Sequence, residues 1–379
     1  MRAYRFKLGS LTFIAALLPG LGFIAPAGAQ LQPYLIDLKS RTATTLGPMG
    51  GINTHAAAIN DIGQVAGLSD RGAFITGPDG MGMRDLGPWA SPWDINNAGQ
   101  VVGGKTFFPP PTGELHAFIT GPDGVGIRDL GTLGGDFSWA DAVNDSGQVV
   151  GTSNTASRGT RAFITGPDGG RMRELEAFGE IFGASVRFWD INDAGQAVGG
   201  ILPPGGDSFF RPFITGPNGV GVRALGDAWG EATGINTVGQ VVGSMGSHAF
   251  ITGPNGVDVK DLGTLGGDYS SAWDINDAGQ VVGASSITAD GSSHAFVTGP
   301  NGDGMADLNS LVDLPNGVVL TEAREINNAG QVIAYPATPQ IPEPKIYVMI
   351  LFGLGLIGLL ARRNKAENPW MNMGSPLTA

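Results

Sequence analysis

No cysteine occurs in the 379-residue chain. Disulfides, thiolate metal sites, a cysteine nucleophile and a lipid-bearing cysteine are therefore excluded, an absence that agrees with export without requiring it. Basic residues are scarce too: 22 Lys and Arg stand against 34 Asp and Glu, a formal net charge of -12. A phosphate backbone needs a basic patch, so nucleic acid is excluded as a partner, and electrostatic docking on anionic lipid is disfavoured. No H-E-x-x-H, nucleophile elbow or functional phosphate loop is present. Nor does any long 3.6-residue pattern run between Gln30 and Gln340, so helix should be rare.

What the chain has in excess is glycine, 63 residues, with 25 prolines. They fall at regular places between apolar runs, which marks them as turns rather than as disorder. One nine-residue phrase occurs six times. It reads GAFITGPDG ending at Gly80, HAFITGPDG at Gly124, RAFITGPDG at Gly169, RPFITGPNG at Gly219, HAFITGPNG at Gly256 and HAFVTGPNG at Gly302. A second phrase, I-N-x-x-G-Q-V-V-G in its fullest form, places asparagines at 60, 96, 144, 192, 236, 276 and 327. A catalytic motif is needed once; a phrase repeated every few tens of residues builds structure.

Each unit reads as four short strands joined by three hairpins. The strand ending in I-N comes first, then Q-V-V-G, then A-F-I-T, then R-D-L-G. Pro pre-sets the G-P-D-G turn and Gly supplies positive φ. Such a sheet cannot bury both faces alone and must stack on its next copy. The reading is an all-β β-propeller of about seven four-stranded blades, with the I-N strand innermost and R-D-L-G outermost. A β-solenoid is the alternative. The early segment from Pro33 to Leu38 reads as an outermost strand that completes the last blade, which leaves that blade one strand short.

H-A-F-I, D-L-G-T-L-G-G and I-N-x-x-G-Q-V-V-G together resemble the HAF repeat family of exported bacterial proteins over nearly all of 35–335. The resemblance implies an extracellular repeat fold and brings no catalytic residues.

The two ends carry targeting signals. Arg2, Arg5 and Lys7 precede an apolar stretch, and Ala27-Gly28-Ala29 offers a cleavage site before Gln30, so 1–29 reads as a signal peptide, helical before removal. A body at 30–335 and a Pro-rich linker at 336–345 come next. Residues 346–361 form an unbroken apolar run, about 24 Å long as a helix, read as one transmembrane segment. Arg362 and Arg363 then open a basic cluster and tail at 362–379, which would face the cytoplasm. Gly353, Gly355 and Gly358 spell G-x-G-x-x-G, but inside that run they are small residues of a membrane helix rather than a nucleotide loop. Pro342-Glu343-Pro344, the apolar span and Arg362-Arg363 resemble a PEP-CTERM sorting signal. That implies the secretion machinery and an exosortase-type enzyme as partners, the latter cutting near Pro342–Pro344. Retention as a stable membrane anchor is the other outcome.

Candidate chemistry is thin. His116, His248 and His294 recur before Ala-Phe, and Gly72, Arg161 and Arg211 take the same slot elsewhere, so the position is structural. His55 has no evident partner in the sequence. Asp79, Asp123, Asp168, Asn218, Asn255 and Asn301 read as turn residues rather than calcium ligands. Asp94, Asp190 and Asp274 follow Trp93, Trp189 and Trp273, and would line a central channel, where paired carboxylates could hydrolyse glycosides. Variable loops carry Phe107, Phe108, Phe209 and Phe210 as candidates for ligand contact. The expectation is a non-enzymatic exported surface or matrix protein that binds glycan or protein partners, with no catalytic residue, cofactor or metal. A polysaccharide-acting enzyme using the channel carboxylates is the alternative.

Overall fold

The computed structural model describes residues 32–46, 54–107, 113–157, 159–176, 185–202, 209–288 and 291–337. The expected signal peptide with Ala27, Ala29 and Gln30, the loop residue Phe108, and the C-terminal segment with Pro342, Glu343, Pro344, Arg362 and Arg363 lie outside them. So does the apolar run 346–361. Among the described residues no helix is long and apolar enough to cross a membrane. The chain divides into two compact units, Met1–Ala337 and Thr338–Ala379, and every described residue belongs to the first.

Among the described residues, twenty-eight strands are laid down in chain order. β1 (Tyr34–Asp37) and β2 (Thr42–Thr45) come first, then β3 (Thr54–Ile59), β4 (Val65–Ser69), β5 (Gly72–Thr76) and β6 (Met83–Asp85). Next are β7 (Ala90–Ile95), β8 (Val101–Thr106), β9 (Leu115–Thr120), β10 (Ile127–Asp129), β11 (Gly134–Val143), β12 (Val149–Thr155), β13 (Thr160–Ile164) and β14 (Arg173–Glu174). β15 (Ser185–Ile191), β16 (Ala197–Leu202), β17 (Arg211–Thr215) and β18 (Val222–Ala224) come after these, then β19 (Gly230–Ile235), β20 (Val241–Met245), β21 (His248–Ile251) and β22 (Lys260–Gly263). The last are β23 (Ser270–Ile275), β24 (Val281–Ser286), β25 (Ser293–Gly299), β26 (Asp303–Asp307), β27 (Leu320–Ile326) and β28 (Gln331–Pro336).

The sheets make an all-β propeller. Five are four-stranded: β3–β6, β15–β18, β19–β22, β23–β26, and one ordered β2-β1-β28-β27. The strands β7 to β14 form one eight-stranded sheet. The expectation of about seven separate four-stranded blades is corrected to that extent. The cause is local: β11 is ten residues long, starts early in the crossover, and makes a parallel bridge from Phe137 to Leu115 of β9. A solenoid is excluded, because β1 pairs with β28 across the whole length of the chain, Tyr34 opposite Ala334 and Asp37 opposite Gln331.

The N-terminal expectation also needs correction. The segment around Tyr34–Asp37 is third in its sheet, and Thr42–Thr45 is the outermost strand, so that sheet is not short of a strand. β2 was illegible because T-A-T-T is short and largely exposed, without an apolar pattern.

The core sits between sheets, not within them. Ala58, Ala66, Ile75 and Leu86 of one strand set pack on Ala90, Ile95, Val101 and Phe118 of the next, and equivalent clusters fill the other seams. The last seam joins Leu35, Leu46 and Ile333 to Ala56, Val65 and Phe74. Phe118, Phe163, Phe213, Phe250 and Phe296, from five of the six copies of the phrase, are fully buried, and Phe74 of the first copy is buried too.

The repeated words now have physical meanings. The Thr of F-I-T accepts the first N–H of the neighbouring strand, as Thr120 does from Val101 at 2.8 Å, and donates to the next carbonyl, Gly121, at 2.9 Å. Each Asn of I-N is buried and donates through Nδ2 to the carbonyl of the corresponding Asn in the next set. The chain of bonds runs from Asn60 to Asn96, 144, 192, 236, 276 and 327, and Asn327 returns to Asn60 at 2.8 Å. Gln also reaches forward: Gln64 Nε2 donates to Asp123 and Gln148 to Asn218. This acceptor role, and a left-handed backbone that short polar side chains tolerate, explains why Asp and Asn alternate in G-P-D/N-G.

The Gly before each Gln is held at positive φ, and at Gly99 (φ +72°) a Cβ would sit 2.9 Å from the backbone of Asp123. Gly99→Ala is expected to cost about 1–3 kcal/mol in strain, read as a lowered denaturant midpoint with unchanged m-value. A midpoint equal to the parent's would refute the packing argument.

Candidate functional site

Two faces arise from strand order. Turns between first and second strands and between third and fourth strands share one: Asp123 N–H donates to Ala98 O, and Gly124 N–H to Gly99 O. Crossovers and the variable loops between second and third strands share the other: Thr106 N–H bonds Trp89 O, Gly246 N–H bonds Trp229 O, and Gly230 N–H bonds Phe210 O. We call these the turn face and the loop face.

Between them runs the central channel, a cavity of about 560 Å³ lined by the innermost strands. Those strands share one irregularity, a register shift just before the I-N dipeptide, for instance between Pro92 and Asp94 and between Ala323 and Glu325. Such a bulge re-aims the extra residue. The extra residues are Ala57, Trp93, Asp141, Trp189, Thr233, Trp273 and Arg324, and all line the channel. Trp93 and Trp189 lie 6.4 Å apart, centre to centre, and Arg324 stacks on Trp273 at 5.1 Å.

The expected channel carboxylates are there, and their role is visible. Asp94 accepts Ile95 N–H on Oδ1 and Val143 N–H, from the next strand set, on Oδ2, both at 2.7 Å. Asp190 does the same to Ile191 and Ile235, and Asp274 to Ile275 and Ile326, at 2.7–2.8 Å. Each is a clip between neighbouring inner strands, with both oxygens occupied. Burial still prevails over these bonds: it pushes Asp94 up to about 7, helped by the charge of Asp190, and Asp190 up to about 6. Asp274 is raised by burial and then by Asp190. Glu325 is raised well above the carboxylate range by burial and then by Asp274. Burial lifts Asp141 to about 8 despite the attraction of Arg187. Asp141, Arg324 and Glu325 were not singled out from sequence, although Glu325 stands in the same slot before I-N as Asp94, Asp190 and Asp274.

The histidines before Ala-Phe form hydrogen bonds through Nδ1 to carboxylates across the outer strand pair. His116, His248 and His294 meet Asp129, Asp261 and Asp307 at 2.9, 2.7 and 2.6 Å. Arg161 and Glu174 fill the same two slots in another set, 3.1 Å apart. His55 lines the channel and tilts against Tyr335, 5.9 Å between centres. Among the described residues no group of His, Asp and Glu is disposed to hold a metal ion.

The loop-face candidates separate. Phe107 is half-buried against the core and the His116 ring. Phe210 is partly covered by Arg187, whose guanidinium carbon lies 5.2 Å from its ring centre. Phe209 is 63% exposed and tilts against Trp229, 49% exposed, with centres 5.9 Å apart. Sequence reasoning missed Trp229, which lies in a crossover, a segment not weighed for binding.

Residues 340–365 match the PEP-CTERM protein-sorting motif. The motif marks an exported protein and implies recognition by exosortase-type processing. No curated protein matches the chain. Among solved structures the chain is similar to puromycin hydrolase, with 13% identity, a TM-score of 0.51, and 82% of this chain and 59% of that one covered. It is similar also to the β-propeller domain of the Trilobed protease from Pyrococcus furiosus, at 9% identity, TM-score 0.49, covering 74% and 90%. A third is putative TolB from Agrobacterium tumefaciens, at 10%, 0.44, covering 81% and 98%. At 13% identity the likeness to puromycin hydrolase shows the fold alone. The chain is thus an exported β-propeller protein with a C-terminal sorting motif.

Proposed function

We propose that this protein is a non-enzymatic binding propeller of the cell surface or extracellular matrix, built of HAF-type repeats, that engages a glycan through its loop face. In this reading the eight-stranded sheet works as two blades, seven in all, in step with the seven Asn-to-Asn bonds. The observation that carries the proposal is where the exposed aromatic rings lie. Trp89, Phe209, Trp229 and Tyr269, the most exposed aromatic side chains among the described residues, stand at crossovers or variable loops, while the turn face exposes aliphatic residues such as Ile62, Val125 and Val238. Aromatic rings offered on a rigid frame are the usual material of a binding surface.

The polysaccharide-acting alternative asks for a carboxylate free to carry a proton or attack a sugar. Asp94, Asp190 and Asp274 have both oxygens bonded to backbone N–H groups, which favours a structural role.

The test is a glycan-array screen of the purified full-length chain, with turnover assays on each hit. Binding without turnover, weakened at least tenfold in the combined Trp89→Ala, Trp229→Ala, Tyr269→Ala variant, is the expected result. Cleavage of a bound glycan that disappears in Asp190→Asn would overturn it in favour of the enzyme.

A further inference from the structure

One place on the loop face joins exposed rings to polar groups. Phe209 and Trp229 meet at 39° between ring planes, and both rings are about half exposed or more. Beside it lies Arg187, 61% exposed along its side chain and 3.9 Å from Glu231 Oε1, too far for a hydrogen bond. Stacking on Phe210 orients the guanidinium in advance, so little rotamer freedom is lost when it binds. Gly200 lies beneath Glu231 and Phe210, where a Cβ would stand 3.0 Å from both Glu231 Cγ and Phe210 Cβ. Gly200 is not at positive φ, so its backbone does not require glycine; the missing side chain lets Glu231 and Phe210 close on the β16 backbone, which holds both in place beside the ring pair. At the equivalent Gly104 the space is taken by the Trp139 ring.

We propose, building on the glycan-binding reading of the loop face, that this cleft between the β15–β18 and β19–β22 sheets seats one neutral pyranose of a glycan chain. A pyranose whose hydroxyls are equatorial presents C–H bonds on its faces and O–H groups around its rim. The C–H hydrogens carry slight positive charge and pack on the negative face of an aromatic ring. The rim hydroxyls both donate and accept, which matches a side chain that only donates, Arg187, next to one that accepts, Glu231. Charge selects the neutral sugar. The chain carries a net charge of -12, so a polyanionic glycan is repelled.

The test titrates the full-length chain with cellohexaose, laminarihexaose, xylohexaose and mannohexaose, and with polygalacturonate as the anionic arm, by saturation-transfer NMR and tryptophan fluorescence. At least one neutral hexasaccharide is expected to bind, with Kd on the order of 0.1–1 mM for an open single seat. Trp229→Ala and Phe209→Ala should each weaken it tenfold or more, and Glu231→Gln threefold or more, without lowering the melting temperature. Trp229→Phe should keep affinity within about threefold, as the ring is conserved, while most of the fluorescence change disappears. Preference for polygalacturonate, no neutral hexasaccharide bound at 10 mM, or hexasaccharide binding indifferent to Trp229→Ala overturns the seat. Glycan-array hits that depend on the other loop-face aromatics would then leave the broader reading standing. An array without hits, together with a protein partner retained by the loop face, would end both.

Discussion

A chain lacking residues 32–46 will not form the propeller. Those residues supply β1 and β2, two of the four strands of the sheet that closes the ring. Their removal strips four backbone pairings from β28. It also deletes Tyr34 and Ile36 from one inter-sheet cluster and Leu35 and Leu46 from the next. Each such side chain stabilises by about 1.5–3 kcal/mol on burial, so four of them are worth roughly 6–12 kcal/mol, the size of a whole domain's stability. The exposed edge of β28 would in addition be a template for pairing between chains. The expected result in circular dichroism and size-exclusion chromatography is loss of the cooperative melt and aggregation. A peptide spanning 30–47 added in trans should restore part of the folded population. A truncated chain that melts cooperatively within 5 °C of the parent would show that ring closure contributes little.

The repeat grammar made most of this architecture readable. The four-strand order, the innermost I-N strand, the turn chemistry and the channel placement of Asp94, Asp190 and Asp274 all derive from alternation and punctuation in the phrases. What the phrases left hidden is of three kinds. β2 has no apolar alternation, because an outermost strand with one exposed edge needs none, and so the first strand was placed one position too far out. The joining of β7–β14 into one sheet depends on a single bridge, Phe137 to Leu115, which no composition rule foresees. The clip role of the aspartates depends on bulges. A bulge shifts register by one residue without any dedicated sequence sign, and it decides that Trp189 lines the channel while Asp190 bonds backbone. The loop-face seat escaped for a different reason: Phe209 and Trp229 belong to adjacent sheets, 20 positions apart in sequence, and only the stacking of sheets brings them together.

Stability should fall as pH rises from 5 to 8.5. Asp94, Asp190 and Asp141 are raised from an ordinary 3.8 to about 7, 6 and 8, and Asp274 and Glu325 move the same way, chiefly through burial. The folded protein therefore holds protons that the unfolded chain has already released, so the slope of unfolding free energy against pH is negative between those two sets of values. Their stabilising contribution is complete below about pH 4 and is lost progressively as the pH rises through the values of Asp190, Asp94 and Asp141. Asp37, lowered chiefly by the Ser40 N–H, acts oppositely and loses its contribution as pH drops below 4, which places the optimum near pH 4–5. A shift of three units in one group is worth about 4 kcal/mol, but the channel carboxylates share one field and a wet cavity, so we take about 4 kcal/mol for the set. For a domain of this size that is a fall of roughly 10 °C in melting temperature. Glu325 is the place to intervene. Going round the ring, the slot before I-N alternates Ala58, Asp94, Ala142, Asp190, Gly234, Asp274, keeping carboxylates apart until Glu325 falls directly after Asp274. Glu325→Gln removes that like-charge neighbour while leaving the Ile326 N–H bond to Asp274 in place. It should hardly change the melting temperature at pH 5, where the parent's Glu325 is protonated, raise it by about 3 °C where that carboxyl ionises, and make the pH slope shallower. A parent melting temperature that is flat or rising over this range, or a Glu325→Gln slope parallel to the parent's, would mean that solvent in the channel already neutralises the effect of burial.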